Sequence, residues 1–135
     1  MTTIRRLGPG DEGVVASLAD DSPRTELLAD DRTIFLVAFE ADVPVGFVLA
    51  HELPRRHKAA RSLLVYEIEV TAAQRRRGIG TGLMRELERL ARRRRIEAGW
   101  VLTERANEAA MRFHEAAGAV RPKDVVEWEL VYAAR

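Results

Sequence analysis

Val70-Thr-Ala-Ala-Gln-Arg-Arg-Arg-Gly-Ile-Gly-Thr81 is the stretch from which the rest of this chain can be read. An apolar, β-prone run, Leu63 to Val70, precedes it, and a helical pattern opening at Gly82-Leu83-Met84 follows it. The glycines therefore stand where a strand hands over to a helix. Gly78 and Gly80 carry no Cβ, so a ligand can approach the backbone closely there. The first turn of a helix adds unpaired N–H groups and the positive end of the helix dipole. Such a junction is an anion cradle suited to a phosphate or pyrophosphate. Arg75, Arg76 and Arg77 bring positive charge to the same place.

Two common phosphate motifs are excluded. No Gly-Lys-Ser/Thr closes the loop, so the lysine of a P-loop is missing. Leu83 stands where a dinucleotide fingerprint needs its third glycine.

Composition narrows the class. With 135 residues, of which 47% are hydrophobic, one domain spanning 1–135 is expected, with enough apolar material for a core. The 22 basic and 21 acidic side chains leave a net charge of +1, which exerts no global pull on nucleic acid or membrane. The chain has no cysteine, which removes disulfides, thiol nucleophiles and thiolate metal sites. Met1-Thr-Thr-Ile-Arg-Arg lacks the apolar core of a signal peptide, and no apolar run approaches the roughly 20 residues of a bilayer span. A cytoplasmic protein is the expectation.

Working outward from the junction, Ser62 to Val70 reads as a strand with two side-chain sets. Leu64, Tyr66, Ile68 and Val70 form an apolar face under strict alternation; Leu63, Val65, Glu67 and Glu69 form a face that turns acidic at its end. Upstream, Thr3 to Leu7 alternates as a short strand, and Asp11 opens a helix carrying Val14, Val15 and Leu18. Asp20 to Pro23 is a loop before a second short helix through Glu26, Leu27 and Leu28, ended by Asp30-Asp31. Thr33 to Phe39 and Val45 to Ala50 read as antiparallel strands joined through Ala41-Asp-Val-Pro44. His51 to Arg61 reads as a polar, arginine-rich loop.

Downstream, Leu83, Met84, Leu87, Leu90 and Ala91 form a helical stripe, closed by Arg92 to Arg95, with Gly99 as its stop. Trp100 to Thr103 is a short strand. Asn107 is placed to N-cap a helix from Glu108 to Ala117, ended by Gly118. Residues 119–121 and 125–132 read as closing strands. The resulting fold class is α+β: one mixed central sheet with helices on both faces.

Arg75-Arg-Arg-Gly-Ile-Gly80 resembles the acyl-CoA pyrophosphate loop, Arg/Gln-x-x-Gly-x-Gly/Ala, of the GNAT superfamily of N-acetyltransferases. Asn107-Glu-Ala-Ala-Met-Arg-Phe-His-Glu-Ala-Ala-Gly118 resembles that family's Asn-x-x-Ala-x-x-Leu/Phe-Tyr-x-x-x-Gly-Phe helix, with two departures: His114 replaces the usual Tyr and Ala119 the usual Phe. Ala50-His-Glu-Leu-Pro-Arg, Tyr66-Glu-Ile-Glu-Val70 and Val126-Glu-Trp-Glu-Leu130 are similar to short pieces of the aminoglycoside 3-N-acetyltransferases of this fold. The resemblance covers essentially the whole chain. It implies an enzyme that uses acetyl-CoA as co-substrate and no metal. Arg75, Arg76, Arg77, Gly78, Ile79, Gly80 and Thr81 would hold the pyrophosphate. The backbone of Ile68 and Val70 would receive pantetheine. Asn107 would contribute to cofactor binding, and His114 would occupy the place facing the cofactor sulfur.

The chemistry has its own requirements. Acetyl transfer from a thioester to an amine needs a proton acceptor for the amine, a donor for the oxyanion and a proton for the leaving thiolate. Glu67 and Glu69 share a face of the strand leading to the cradle, and either could accept the amine proton; the resemblance favours Glu67. The competing reading is two solvated strand residues. His114 follows Asn107 by two helical turns and can donate a proton; the competing reading is a surface histidine without a role. His51 and His57 are expected in a loop and lack a third metal ligand at a recognisable spacing.

The expected partner is a small amine, an aminoglycoside-like polyamine sugar above all, drawn in by Glu52, Glu67, Glu69, Glu127 and Glu129. A protein amine, a polyamine and an amino acid are the competing acceptors, and an acyl-CoA-binding module without turnover is the non-enzymatic alternative. Nucleic acid is not expected, because Arg75–77 and Arg92–95 flank opposite ends of one helix with no interleaved aromatics. A homodimer is expected, with Trp128 as a candidate anchor.

Overall fold

The computed structural model describes residues 2–19, 24–56 and 61–133. The expected loop at Asp20 to Pro23 and His57 lie outside them. The chain divides into two compact units, Met1–Leu102 and Thr103–Arg135.

The first unit holds a five-stranded mixed sheet. In chain order come β1 (Thr2–Arg6), α1 (Glu12–Leu18), a 3₁₀ turn (Glu26–Ala29), β2 (Thr33–Glu40), β3 (Val43–Leu53) and β4 (Arg61–Val70). A second 3₁₀ turn (Ala72–Gln74), α2 (Ile79–Arg93) and β5 (Ile96–Val101) complete it. Strands stand in the order of the chain, antiparallel up to β4, with β4 and β5 parallel. The β2–β3 hairpin turns on Ala41 (φ 49°) and Asp42 (φ 67°), the two consecutive left-handed residues that match the twist of a tight hairpin.

Both faces of the sheet are covered, as the sequence pattern predicts. On one face α2 buries Ile79, Leu83, Leu87 and Leu90 against Ile34, Leu36, Val48, Leu63, Val65 and Ile96. Four such side chains contribute about 2 kcal/mol each on leaving water. On the other face Val15 of α1 and Leu28 of the first 3₁₀ turn pack with Phe35, Val37, Phe39, Phe47 and Leu49. The side chain of Asp11 accepts from Gly8 N–H (2.9 Å) and Arg5 (2.9 Å), which fixes the turn into α1.

The structure corrects the sequence reading at several points. Gly99 does not stop α2; it lies inside β5. A Cβ there would stand 2.6 Å from the carbonyl oxygen of Leu63, so glycine is present because two strand backbones approach each other. The helix ends at Arg93 instead, with Arg94 as C-cap and Arg95 at φ 59°. His51 belongs to β3, not to a loop, and Arg61 begins β4. The helix α2 starts at Ile79, within the glycine stretch, rather than at Gly82.

The second unit carries α3 (Glu108–Ala116), N-capped by Asn107, whose side-chain oxygen accepts from Ala110 N–H at 3.1 Å. Gly118 at φ 92° follows its end. Residues 119–121 and 125–132, read as closing strands, form no ladder among the described residues, and they are exposed throughout. A β-prone pattern supplies side chains, but a strand exists only when a partner takes up its backbone groups.

Candidate active site

Strict alternation fails in β4, and the failure shapes the site. Glu67 pairs with Leu49 and Val65 with Ala50, so Tyr66 is an extra residue without an opposite on β3. Such a bulge resets the phase of the strand. Leu63 and Val65 before it, and Ile68 and Val70 after it, all face the core under α2. The apolar face read from the sequence as Leu64-Tyr66-Ile68-Val70 is therefore not one face. The signal was present in the sequence: apolar positions move from odd (63, 65) to even (68, 70) numbers.

Glu67 and Glu69 do share a face. They stand opposite Leu49 and Phe47, which belong to the core on the α1 side, and both are exposed. Their neighbour Tyr66 is 64% exposed, and its ring lies 5.8 Å from that of His51 at 67°, an edge-on contact. The sequence alone does not show this pair, because the polar, arginine-rich run from His51 to Arg61 has the composition of a loop.

The ladder between β4 and β5 runs from Arg61 to Val65, where Val65 pairs with Val101. From Tyr66 to Val70 β4 continues past the end of that ladder. This is a strand edge of the kind to which an amide-bearing chain can add. Its last carbonyl, that of Val70, accepts from Arg75 Nε at 3.1 Å.

The cradle follows directly. Gly78, at φ 79°, is the N-cap of α2, a backbone conformation that suits glycine. A Cβ at Gly78 would meet no atom within 4 Å, so the space beside it is open. Ile79, Gly80 and Thr81 form the first turn of α2, where amide N–H groups have no acceptor inside the helix. The three arginines are not equivalent. Arg75 is tied to Val70, and Arg77 donates to Gln74 Oε1 at 2.8 Å, while Arg76 is exposed with φ 64°. The side chains of Arg75 and Arg77 thus bond to residues of the strand end and the loop itself.

Glu52 does not join the exposed acids. Its side chain is 1% exposed and accepts from Arg61 Nη1 (2.7 Å) and Arg94 Nε (2.8 Å). Arg94 also holds Asp31 at 3.0 Å, and these carboxylate partners raise its pKa, Asp31 most. Glu52 is a structural anchor, which removes it from the acceptor-facing carboxylates the sequence suggested.

His114 and Asn107 belong to the second unit. His114 is buried, its ring 5.1 Å from that of Phe113, and burial pushes its pKa below the ordinary 6.5. It is not the surface histidine of the competing reading. The side-chain oxygen of Asn107 is engaged in capping α3. Among the described residues no group of three His, Cys, Asp or Glu could hold a metal ion, and no helix is long and apolar enough to cross a membrane.

The chain thus combines a mixed five-stranded sheet, a strand that runs past its ladder and a glycine-containing turn at the start of a helix. The acetyltransferase (GNAT) family matches residues 7–119, and the chain belongs to that family. No curated protein matches the chain. Among solved structures it is similar to an aminoglycoside acetyltransferase from an uncultured soil metagenomic sample, crystallised with sisomicin. That likeness has a TM-score of 0.85 at 18% identity, over 98% of this chain and 97% of that one. It is also similar to the ribosomal-protein-alanine N-acetyltransferase of Brucella melitensis biovar Abortus 2308 (TM-score 0.78, 24% identity, 98% and 100% covered). A third, AAC(6')-Iy in complex with the bisubstrate analogue CoA-S-monomethyl-acetylneamine, has a TM-score of 0.78 at 18% identity, over 98% and 99% of the two chains.

Proposed function

We propose that this chain moves the acetyl group of acetyl-CoA to a primary amine by direct attack in a ternary complex, and that the acceptor is a small cationic amine of the aminoglycoside kind. The observation that carries the reading is the adjacency, along one strand, of Glu67 and Glu69 to the open edge and glycine cradle. The cradle from Arg75 to Thr81 would hold the pyrophosphate, and the backbone of Ile68 and Val70 the pantetheine amides. Asn107 would add a cofactor contact.

In the step itself the amine nitrogen attacks the thioester carbonyl carbon. Glu67, with Glu69 beside it, takes the amine proton and the C–S bond breaks; the thiolate is protonated as it leaves, a role proposed for the imidazolium form of His114, which burial makes the minor form at neutral pH. Two adjacent carboxylates also attract a cationic acceptor. Glu127 and Glu129 of the second unit extend the same expectation, whereas Glu52 does not. The family match, residues 7–119, spans the boundary between the two units and supports reading 1–135 as one domain. The same proposal takes the enzyme to be cytoplasmic and a homodimer, with Trp128, 83% exposed, at the contact.

Turnover on sisomicin, spermidine and basic peptides, followed by CoA release at low and high salt, tests the reading. Acetylation of sisomicin that falls with salt and with Glu67→Gln is the expected result. Robust turnover on a neutral amine or a peptide amino terminus, with none on sisomicin, rejects the acceptor class. Retained CoA affinity with no turnover on any amine favours a binding module.

A further inference from the structure

Tyr66 is the residue that the fold goes out of register to insert. A bulge leaves one residue unpaired in the ladder and re-aims the side chains beside it. Here the unpaired residue is an aromatic, and the residue that follows it is Glu67. If β4 alternated without the bulge, Glu67 and Glu69 would face the core under α2, where Leu63 and Val65 lie. The insertion therefore delivers both carboxylates to the α1 side of the sheet, where they are exposed, and sets a tyrosine next to Glu67.

Tyr66 is 64% exposed. It is nevertheless not loose. His51 stands opposite Leu64 on β3, two residues from Leu49, so it shares the face of Glu67 and Glu69. Its ring meets Tyr66 edge-on at 5.8 Å and 67°. Edge-on pairs are the favoured aromatic geometry and restrict the ring's rotamers. An aromatic plane held beside two exposed carboxylates matches one chemistry closely. A ring-borne ammonium puts its charge against the acids and its C–H face on the aromatic plane, where the ring's π-face also attracts the cation.

We infer that Tyr66, propped by His51, is a specificity-determining residue that docks the ring of a cyclic polyamine beside Glu67 and Glu69, in preference to a linear amine. The inference rests on the acceptor reading above and adds its discriminating element. His51 acts through Tyr66 and is a positioning residue. A linear polyamine satisfies the carboxylates equally but offers the aromatic plane less apolar face.

The experiment compares sisomicin with spermidine at saturating acetyl-CoA, in the full-length wild type and in Tyr66→Ala, Tyr66→Phe and His51→Ala. Tyr66→Ala is expected to raise the KM for sisomicin about tenfold, the size of one cation–π and stacking contact, and to lower the sisomicin-to-spermidine ratio of kcat/KM by the same factor. Tyr66→Phe keeps most of the ratio, and His51→Ala lowers it in the same direction by less. Calorimetric titration of sisomicin reads the same contrast without turnover. Because Tyr66 is exposed, thermal melting of the alanine variant should match the wild type and keep the comparison free of unfolding. A ratio and Kd indifferent to Tyr66, or a KM change confined to acetyl-CoA, overturns the inference while leaving the acceptor class standing. Wild-type turnover of spermidine with neither binding nor turnover of sisomicin rejects both.

Discussion

Arg94, the C-cap of α2, reaches Glu52 on β3, its Nε 2.8 Å from a carboxylate whose side chain is 1% exposed. The pair ties the end of the long helix to the sheet, and Arg61 at the start of β4 closes it from the other side at 2.7 Å. A buried carboxylate that loses a partner retains its desolvation cost. Arg94→Ala should therefore destabilise the protein by about 2 kcal/mol, less than for a fully orphaned charge because Arg61 remains. In a chain of this size that is a fall in Tm of roughly 6 °C. Calorimetric or circular-dichroism melting checks it. The KM for the acceptor amine should not move, since Glu52 lies in the anchor and not among the exposed acids.

The close approach at Gly99 makes a second prediction. A methyl group at this position would lie 2.6 Å from the Leu63 carbonyl oxygen and 3.0 Å from the Leu63 Cβ. Backbone cannot rotate away as a flexible side chain can. Gly99→Ala should cost about 3 kcal/mol by forcing the parallel β4–β5 ladder apart. Urea unfolding with an unchanged slope and a lowered midpoint is the expected signature.

The cradle can be tested apart from the chemistry. Gly80 lies in the first turn of α2. A branched side chain there would stand among the amide groups proposed to receive the pyrophosphate. Gly80→Val should raise the Kd for acetyl-CoA by about a hundredfold, the loss of some 2.7 kcal/mol of charge-assisted hydrogen bonding. Isothermal titration with an unchanged far-ultraviolet spectrum checks it. Arg76→Ala should weaken binding only a few-fold, because an exposed charge is screened by salt.

His114 makes stability depend on pH. Burial lowers its pKa in the folded protein below the unfolded 6.5. The unfolded state then binds more protons, so His114 imposes no penalty well above pH 6.5, and stability falls as the pH drops through that value towards the folded pKa. Below the folded pKa the loss levels off. Subtracting the stability curve of His114→Gln from that of the wild type should isolate a difference that grows as the pH falls from neutrality through 6.5. If His114 also protonates the thiolate, His114→Ala lowers turnover more than acetyl-CoA affinity, and His114→Tyr retains much of the activity.

Much of this was decided by local sequence. The strand–glycine–helix junction, the Ala41-Asp42 hairpin, the stripe on α2 and the Asn107 cap each depend on residues a few positions apart, and short-range sterics and hydrogen bonding suffice to form them. What needed the tertiary structure were the choices made between distant segments. Glu52 could be an exposed acid or a buried anchor, and only the arrival of Arg94, 42 residues away, made it the anchor. Gly99 has the local look of a helix stop, yet its role is set by the Leu63 backbone across a parallel ladder. Tyr66 became a bulge because β3 could pair Glu67 with Leu49 and Val65 with Ala50 but offered no opposite for the residue between. Period and propensity are properties of neighbours along the chain. Register, burial and charge partners are settled only when segments far apart in sequence compete for the same hydrogen bonds and the same apolar contacts.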